Sequence, residues 1–307
     1  MTSPTPSAAG NLFRDLGKSG VVPFVAGNVV LGTIGVFVHY AGSSPLTATW
    51  FRCAFGLVGL TIWLLVRKQA HVIRLNRAVG PWLLVAATLM VMAWALFFSA
   101  IERISTGEAI VMFHLQPMWV LVLGRVWLGE KVGRGRCIAV GVAMIGLVFA
   151  TGLAEHLPWL DKGGGFGARY WMSVAFCLVG ALCTACVTII AHKLRDTPSG
   201  ALAWWQCLIG TAVLWVWPAH DGWPAFGSSW AWLAGVGLIH TGLAYTLIYT
   251  GMARLPTSRI AILQFVYPAV AIAVDRFWFG QQLSALQLAG VLIMSVAIWR
   301  AEKQPHG

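Results

Sequence analysis

Ten apolar runs, each about as long as one bilayer crossing, leave this chain little choice of fold. They cover roughly residues 20–40, 45–66, 78–100, 105–126, 135–152, 169–191, 199–218, 229–251, 257–279 and 284–300. A hydrocarbon core of about 30 Å needs roughly 20 apolar residues per helix. The segments between the runs are too short to fold as a soluble domain. Only 10% of the 307 residues are charged, against about 25% in soluble domains. The reading is an all-α integral membrane protein with ten transmembrane helices.

In a soluble chain the net charge of +11 would suggest nucleic acid. Here its distribution sets orientation, and the partners expected are lipid and a small molecule, with no nucleic acid. Arg14 and Lys18 precede the first run. Arg67, Lys68, Arg74 and Arg77 follow the second, Arg125, Lys131, Arg134 and Arg136 the fourth, Lys193 and Arg195 the sixth, Arg254 the eighth, and Arg300 and Lys303 the tenth. That puts fifteen cations on one side, against Arg103, Lys162, Arg169 and Arg276 on the other. The positive-inside rule then places both termini in the cytoplasm. Residues 1–19 and 301–307 read as cytoplasmic tails. The first tail lacks the apolar core of a cleaved signal peptide. All six cysteines fall in or at the ends of apolar runs, and Cys183 and Cys186 form a C-x-x-C spacing. With no second pair or nearby histidine, they read as packing residues, and no metal or cofactor is expected.

The chain also repeats itself. "ERISTGEAIVMFHLQPMWVLVLGRVWLGEKV" from Glu102 aligns without gaps on "ARLPTSRIAILQFVYPAVAIAVDRFWFGQQL" from Ala253, at an offset of 151. Arg103 meets Arg254, Thr106 meets Thr257, Pro117 meets Pro268, Trp127 meets Trp278 and Gly129 meets Gly280. The expected organisation is a first repeat over 20–152, a glycine-rich linker over 153–168 and a second repeat over 169–300. Five helices per half force opposite topologies. Inverted repeats of this kind are a common plan of secondary transporters, whose site lies between the repeats near the midplane.

These segments resemble a known family. "WFRCAF" in the second run, the fourth run with its proline and "W-x-G-E" ending, and the glycine-rich "IAVGVAMIGLVFATG" carry the resemblance, as does the closing "ARLPTSRIAILQFVYPAVAIAVDRFWFGQQLSALQLAGVLI". The chain is similar to the ten-helix EamA branch of the drug/metabolite transporter superfamily, and most like the YddG-type amino acid exporters. The second copy departs from the pattern, with Gln281 where the first has Glu130. The resemblance implies a bacterial inner-membrane exporter of amino acids, neutral or aromatic ones favoured, or of another small metabolite or drug. It implies a central cavity lined by helices one, three, four, six, eight and nine, with glycine-rich five and ten as support.

Residue chemistry supplies the candidates. Pro117 and Pro268 lie about 15 Å into their helices at 1.5 Å per residue, near mid-bilayer. A proline there frees a carbonyl four residues back, of Phe113 and Gln264 respectively. The kinks serve shape alone, or they line a site and act in gating. Arg52, Glu108 and Arg259 are charges inside apolar runs, and such charges mark function or structural pairs. Together they offer a zwitterion an acceptor for its ammonium and donors for its carboxylate. Candidate cavity residues are Asn28, Trp94, His114, Gln116, Thr241, Tyr245, Tyr249, Gln264 and Tyr267. An amphipathic tyrosine face suits an apolar or aromatic substrate. His39 and His240 are further polar candidates, read as proton sites or as hydrogen-bonded structure. Trp204 and Trp205 read as an interfacial belt.

Absences narrow the class. The sequence has no G-x-x-x-x-G-K-[ST] loop, no G-x-S-x-G and no H-E-x-x-H. That removes ATP drive within the chain and the commonest hydrolase signals. A membrane enzyme or lipid scramblase is a distant alternative, because Ser43, Ser44, Ser105 and Thr106 have no obvious base beside them. Without a row of carboxylates, transport rests on substrate gradients or on a proton carried by Glu108 or a histidine.

Overall fold

The structure, a computed structural model, describes residues 20–74, 77–101, 103–154 and 167–303. The tail over 1–19, residues 304–307 and the linker over 155–166 lie outside the described residues.

All regular elements among the described residues are helical. They are α1 (Val21–Gly32), α2 (Ile34–Ala41), α3 (Pro45–Val66), α4 (Gly80–Ile101), α5 (Thr106–Phe113), α6 (Gln116–Trp127), α7 (Arg134–Ala150) and α8 (Ala168–Lys193). There follow α9 (Ser199–Leu214), α10 (Val216–Asp221), α11 (Ser228–Gly237), a π-helical turn (Leu238–Leu243), α12 (Ala244–Met252), α13 (Thr257–Leu263), α14 (Val266–Trp278) and α15 (Ala285–Glu302). Among the described residues, nine segments are long and apolar enough to cross a membrane: α1–α2, α3, α4, α5–α6, α8, α9–α10, α11–α12, α13–α14 and α15. The run expected over 135–152 forms α7, a helix of 17 residues.

Local sequence explains the helix ends. Ser44 caps α3, accepting the Thr47 N–H at 3.3 Å, with Pro45 in the first turn, where its missing N–H costs nothing. Ser105 with Glu108, and Ser284 with Gln287, form reciprocal capping boxes on α5 and α15. After α6 and α14 the chain turns through Gly129 and Gly280, both at φ +66°, a conformation that other residues adopt only with strain.

The outer faces are apolar: Val66 is 74% exposed and Leu292 65%. An aqueous surface of that kind would be costly, and a bilayer accommodates it. At the end of the bundle where Gly20 and Lys303 lie, Arg67 lies over Trp63 at 4.6 Å, Lys193 over Trp82 at 4.2 Å and Lys303 over Trp299 at 3.9 Å. Such cation–aromatic pairs suit a boundary between hydrocarbon and headgroups.

The helices pair as α8 on α4, α1 on α12, α3 on α9 and α7 on α15. The last pair packs backbone to backbone. A Cβ added at Gly290 would lie 2.4 Å from the Ala150 nitrogen and 2.6 Å from the Gly146 carbonyl oxygen. Small residues are the usual route to close approach where lipid offers no hydrophobic drive. One expectation changes here. Trp204 and Trp205 are half-buried against the core, and they donate to Thr61 Oγ1 at 2.9 Å and to the Ile73 carbonyl at 3.2 Å. Their indole N–H groups find partners inside the protein rather than at a headgroup.

Candidate functional site

Two spans are interrupted at equivalent places. Between α5 and α6 the Leu115 N–H reaches the Met112 carbonyl at 3.2 Å, and the helix restarts at Gln116 with Pro117 in its first turn. Between α13 and α14 the Phe265 N–H reaches Ile262 at 3.2 Å, and Pro268 follows in the new helix. Both prolines are buried. The breaks tighten into i→i−3 turns, because proline cannot donate the next helical bond. At the second break this tightening takes up the Gln264 carbonyl, expected to be free: it accepts the Tyr267 N–H at 3.3 Å.

The two breaks face each other. The His114 and Tyr267 rings stack with centroids 5.9 Å apart and planes 6° from parallel. Protein packs closely around both side chains, and both stay partly accessible. His114 Nδ1 lies 2.8 Å from the Ile110 carbonyl oxygen. A carbonyl only accepts, so Nδ1 carries a proton, and Nε2 of the neutral ring is an acceptor. Gln264 is buried, and its Oε1 accepts no hydrogen bond. Gln116 turns elsewhere, to Thr188 Oγ1 on α8 at 3.3 Å.

Next to the stack lies a second group. The Arg52 guanidinium, from α3, sits 4.7 Å from the Trp94 ring centroid and 5.1 Å from that of Tyr245. Its Nε donates to Thr241 Oγ1 at 2.8 Å. Arg52 is 6% exposed, and its Nη2 has no hydrogen-bond partner. Tyr245 also contacts Tyr249, whose hydroxyl donates to Gln206 Oε1 at 2.8 Å. Tyr267 lies within electrostatic reach of both Arg52 and Tyr245, so the two groups are neighbours and together form the candidate chamber. Asn28 is buried on α1 and donates to its own helix, at the Phe24 carbonyl, 2.8 Å away.

The π turn explains how Thr241 reaches Arg52. Thr241 Oγ1 donates to the carbonyl five residues back, Val236, at 3.2 Å. His240 Nδ1 does the same to Gly235 at 3.3 Å, and its Nε2 meets Thr33 Oγ1 at 2.9 Å. The widened turn brings both side chains inward, as such turns do at functional sites. Thr33 is also where α1 gives way to α2.

Glu108 and Arg259 stand apart from the chamber, at opposite ends of the bundle. The Glu108 carboxylate accepts the Ser105 N–H at 2.9 Å and the Ser105 hydroxyl at 2.7 Å, with the Tyr170 hydroxyl at 3.4 Å. Arg259 pairs with Glu302 at the end of α15 through both Nε and Nη2. The Glu108→Ala variant is therefore expected to lose about 1 kcal/mol of stability, the usual cost of a lost cap. Substrate preference should not change. Thermal unfolding and competition assays read the two effects separately.

Three features escaped the sequence reading. One is Asp275 on α14, half-buried, within electrostatic reach of Tyr267 and facing Gly35 of α2. An acid inside the ninth run, where the first copy has Gly124, was the available signal. Another is Gln206, the partner of Tyr249. The third is a lock at the end where Gly20 and Lys303 lie. Glu130 Oε2 accepts the Thr257 N–H at 2.9 Å and its hydroxyl at 2.6 Å, while Oε1 lies 3.5 Å from His192 Nε2. The end of α6 is thereby fastened to the start of α13. The equivalent Gln281 is exposed, and its side chain makes no such bond.

Comparison with known proteins gives a consistent picture. The sequence matches the EamA-like transporter family over residues 18–152 and again over 171–300. It is 24% identical over 283 residues to the uncharacterized transporter YxxF of Bacillus subtilis, covering 90% of this chain and 87% of that one. It is 30% identical over 122 residues to the pseudopaline exporter CntI of Pseudomonas aeruginosa, which covers 39% of this chain and 42% of that one. A crystal structure superposes with a TM-score of 0.80 at 16% identity, covering 92% of this chain and 96% of the other. At that identity the likeness concerns the fold alone.

Proposed function

The chain belongs to the EamA-like transporter family, and on that premise we propose that it is a secondary exporter of amino acids, neutral and aromatic ones favoured. It works by alternating access in the bacterial inner membrane, with both termini cytoplasmic. It is built as two five-span units of opposite orientation. Three observations support that build. The family pattern occurs twice in the chain. The Gly129 and Gly280 turns and the closing bonds from Glu130 N to Gly124 O and from Gln281 N to Asp275 O recur at the repeat offset, and the breaks recur within one residue of it. The end of α6 meets the start of α13 at Glu130 and Thr257, so these two equivalent spans run antiparallel. The tenth span is α7, whose 17 residues reach about 25 Å at 1.5 Å each, within the range for a crossing.

The observation that carries the reading is the His114–Tyr267 stack, where the two broken spans meet. Broken helices that enclose a midplane pocket are how such transporters expose polar groups without exposing them to lipid. Arg52 Nη2 offers a donor for a carboxylate. Gln264 Oε1 and His114 Nε2 offer acceptors for an ammonium, and Trp94, Tyr245 and Tyr267 form a wall for an apolar side chain.

Counterflow in proteoliposomes tests this directly. Vesicles preloaded with unlabelled neutral and aromatic amino acids should accumulate the labelled forms, and His114→Ala or Tyr267→Ala should reduce accumulation at least about tenfold. No accumulation across the panel would reject the substrate class. A second reading, export of another small metabolite or a drug through the same chamber, draws on the similarity to CntI. Competition by such compounds with none by amino acids would favour it.

A further inference from the structure

We infer that Arg52 is a carboxylate anchor: the chamber takes organic acids with a flat or apolar body, and an α-ammonium is dispensable. The inference rests on the transport reading and makes the carboxylate, not the ammonium, the group the site requires.

The argument begins with what Arg52 lacks. A guanidinium carries five N–H donors and never deprotonates in a protein. Taking it out of water is costly unless a counter-charge and hydrogen bonds compensate. Here the visible compensation is the hydrogen bond to Thr241, the neighbouring Tyr245 hydroxyl and two aromatic faces, and no counter-charge. No carboxylate pairs with Arg52 among the described residues. Nη2 is buried and unpartnered. Unsatisfied buried donors are rare in native structures and call for an explanation. A purely structural arginine would have its donors filled by helix-end carbonyls, whereas this one sits against two aromatic rings.

The shape of the surroundings fixes the ligand class. Trp94 and Tyr245 stand edge to face, with centroids 6.1 Å apart, and the guanidinium packs against both. The rings exclude water and strengthen any charged hydrogen bond made there. A carboxylate matches the planar donor edge of the guanidinium, while an ammonium would be repelled by it.

Of the acids that could have demanded an ammonium, all but Asp275 are engaged elsewhere. Glu108 is occupied by its cap and Tyr170. Glu130 holds Thr257, and Glu302 holds Arg259. Asp275 is within reach of Tyr267 but is not among the groups acting on Arg52. The acceptors that remain in the chamber, Gln264 Oε1 and His114 Nε2, are neutral. They can select for an amine without requiring one.

The test uses three probes that share a phenyl ring: L-phenylalanine, 3-phenylpropionate and phenethylamine. Binding to the purified protein is read as thermal stabilisation, and transport as competition in counterflow. Both carboxylates should bind and compete, and phenethylamine should do neither. Arg52→Gln should weaken the carboxylates roughly 10- to 100-fold, the effect of losing a charged hydrogen bond in a dry site. Arg52→Lys, which keeps the charge and guards against a folding artefact, should retain part of the affinity and the same order of preference. Equal binding of phenethylamine, no binding of either carboxylate, or undiminished carboxylate binding by a folded Arg52→Gln protein would each overturn the anchor. If a substrate is still carried normally by that variant, the anchor fails while the exporter stands. If nothing is carried by the unaltered protein, the transport reading fails as well.

Discussion

Gly290→Leu is expected to leave little folded protein. The Cβ alone would fall 2.4 Å from the Ala150 nitrogen and 2.8 Å from Phe149 Cβ. Neither can yield, because one is helix backbone and the other is attached directly to it. Overpacking a core usually costs about 1–3 kcal/mol, as side chains adjust. Here α7 and α15 would have to separate along their whole contact, so the cost should exceed that range. Few other contacts hold α7, whose main neighbour is α15. In detergent, size-exclusion chromatography should show an aggregated variant, or thermal unfolding a fall of at least about 10 °C. The control is Gly141→Ala on the same α7: nothing lies within 4 Å of the added methyl, and exchanging glycine for alanine inside a helix gains up to about 1 kcal/mol. A Gly290→Leu protein as stable as the parent would mean that the pair does not pack by backbone approach.

Glu130→Ala should have the largest effect on conformation. Its carboxylate accepts two hydrogen bonds from Thr257, at 2.9 and 2.6 Å. Bonds to a charged acceptor contribute about 1.5–3 kcal/mol each. Losing both should favour opening of the end where Gly20 and Lys303 lie by roughly 100-fold or more, at about 1.4 kcal/mol per tenfold. The equivalent position in the second repeat is Gln281, whose side chain makes no such bond among the described residues. A cysteine placed at the buried Gln264 should then react faster with a water-soluble thiol reagent, above the background of the native cysteines, four of which are buried. Glu130→Gln, with a neutral acceptor in place, should fall between. An unchanged alkylation rate in Glu130→Ala would show that the lock carries no load.

The features that sequence exposed were those written in local chemistry. Pro117 and Pro268 mark the two breaks because a missing N–H interrupts any helix. Ser105 and Glu108 announce their cap by spacing. Trp94, Tyr245 and Arg52 were legible as polar or aromatic interruptions of apolar runs, though not as one cluster. What sequence withheld was bonding between distant elements. The break at Thr33 has no proline; it coincides with the contact to His240, 207 residues away. The π turn at Leu238–Leu243 is equally silent, since its i→i−5 bonds leave no residue signature. Glu108 and Arg259 were read as charges for a zwitterion or as members of structural pairs. The end of α6 meets the start of α13, which puts them at opposite ends, where each has a local partner.

The most direct test of the internal chamber is the reach of water to Tyr267. With a cysteine at that position, a membrane-impermeant maleimide should label the protein in sealed vesicles of either orientation. Labelling by a lipid-soluble reagent alone would put the break against acyl chains, and labelling from only one side would contradict alternating access.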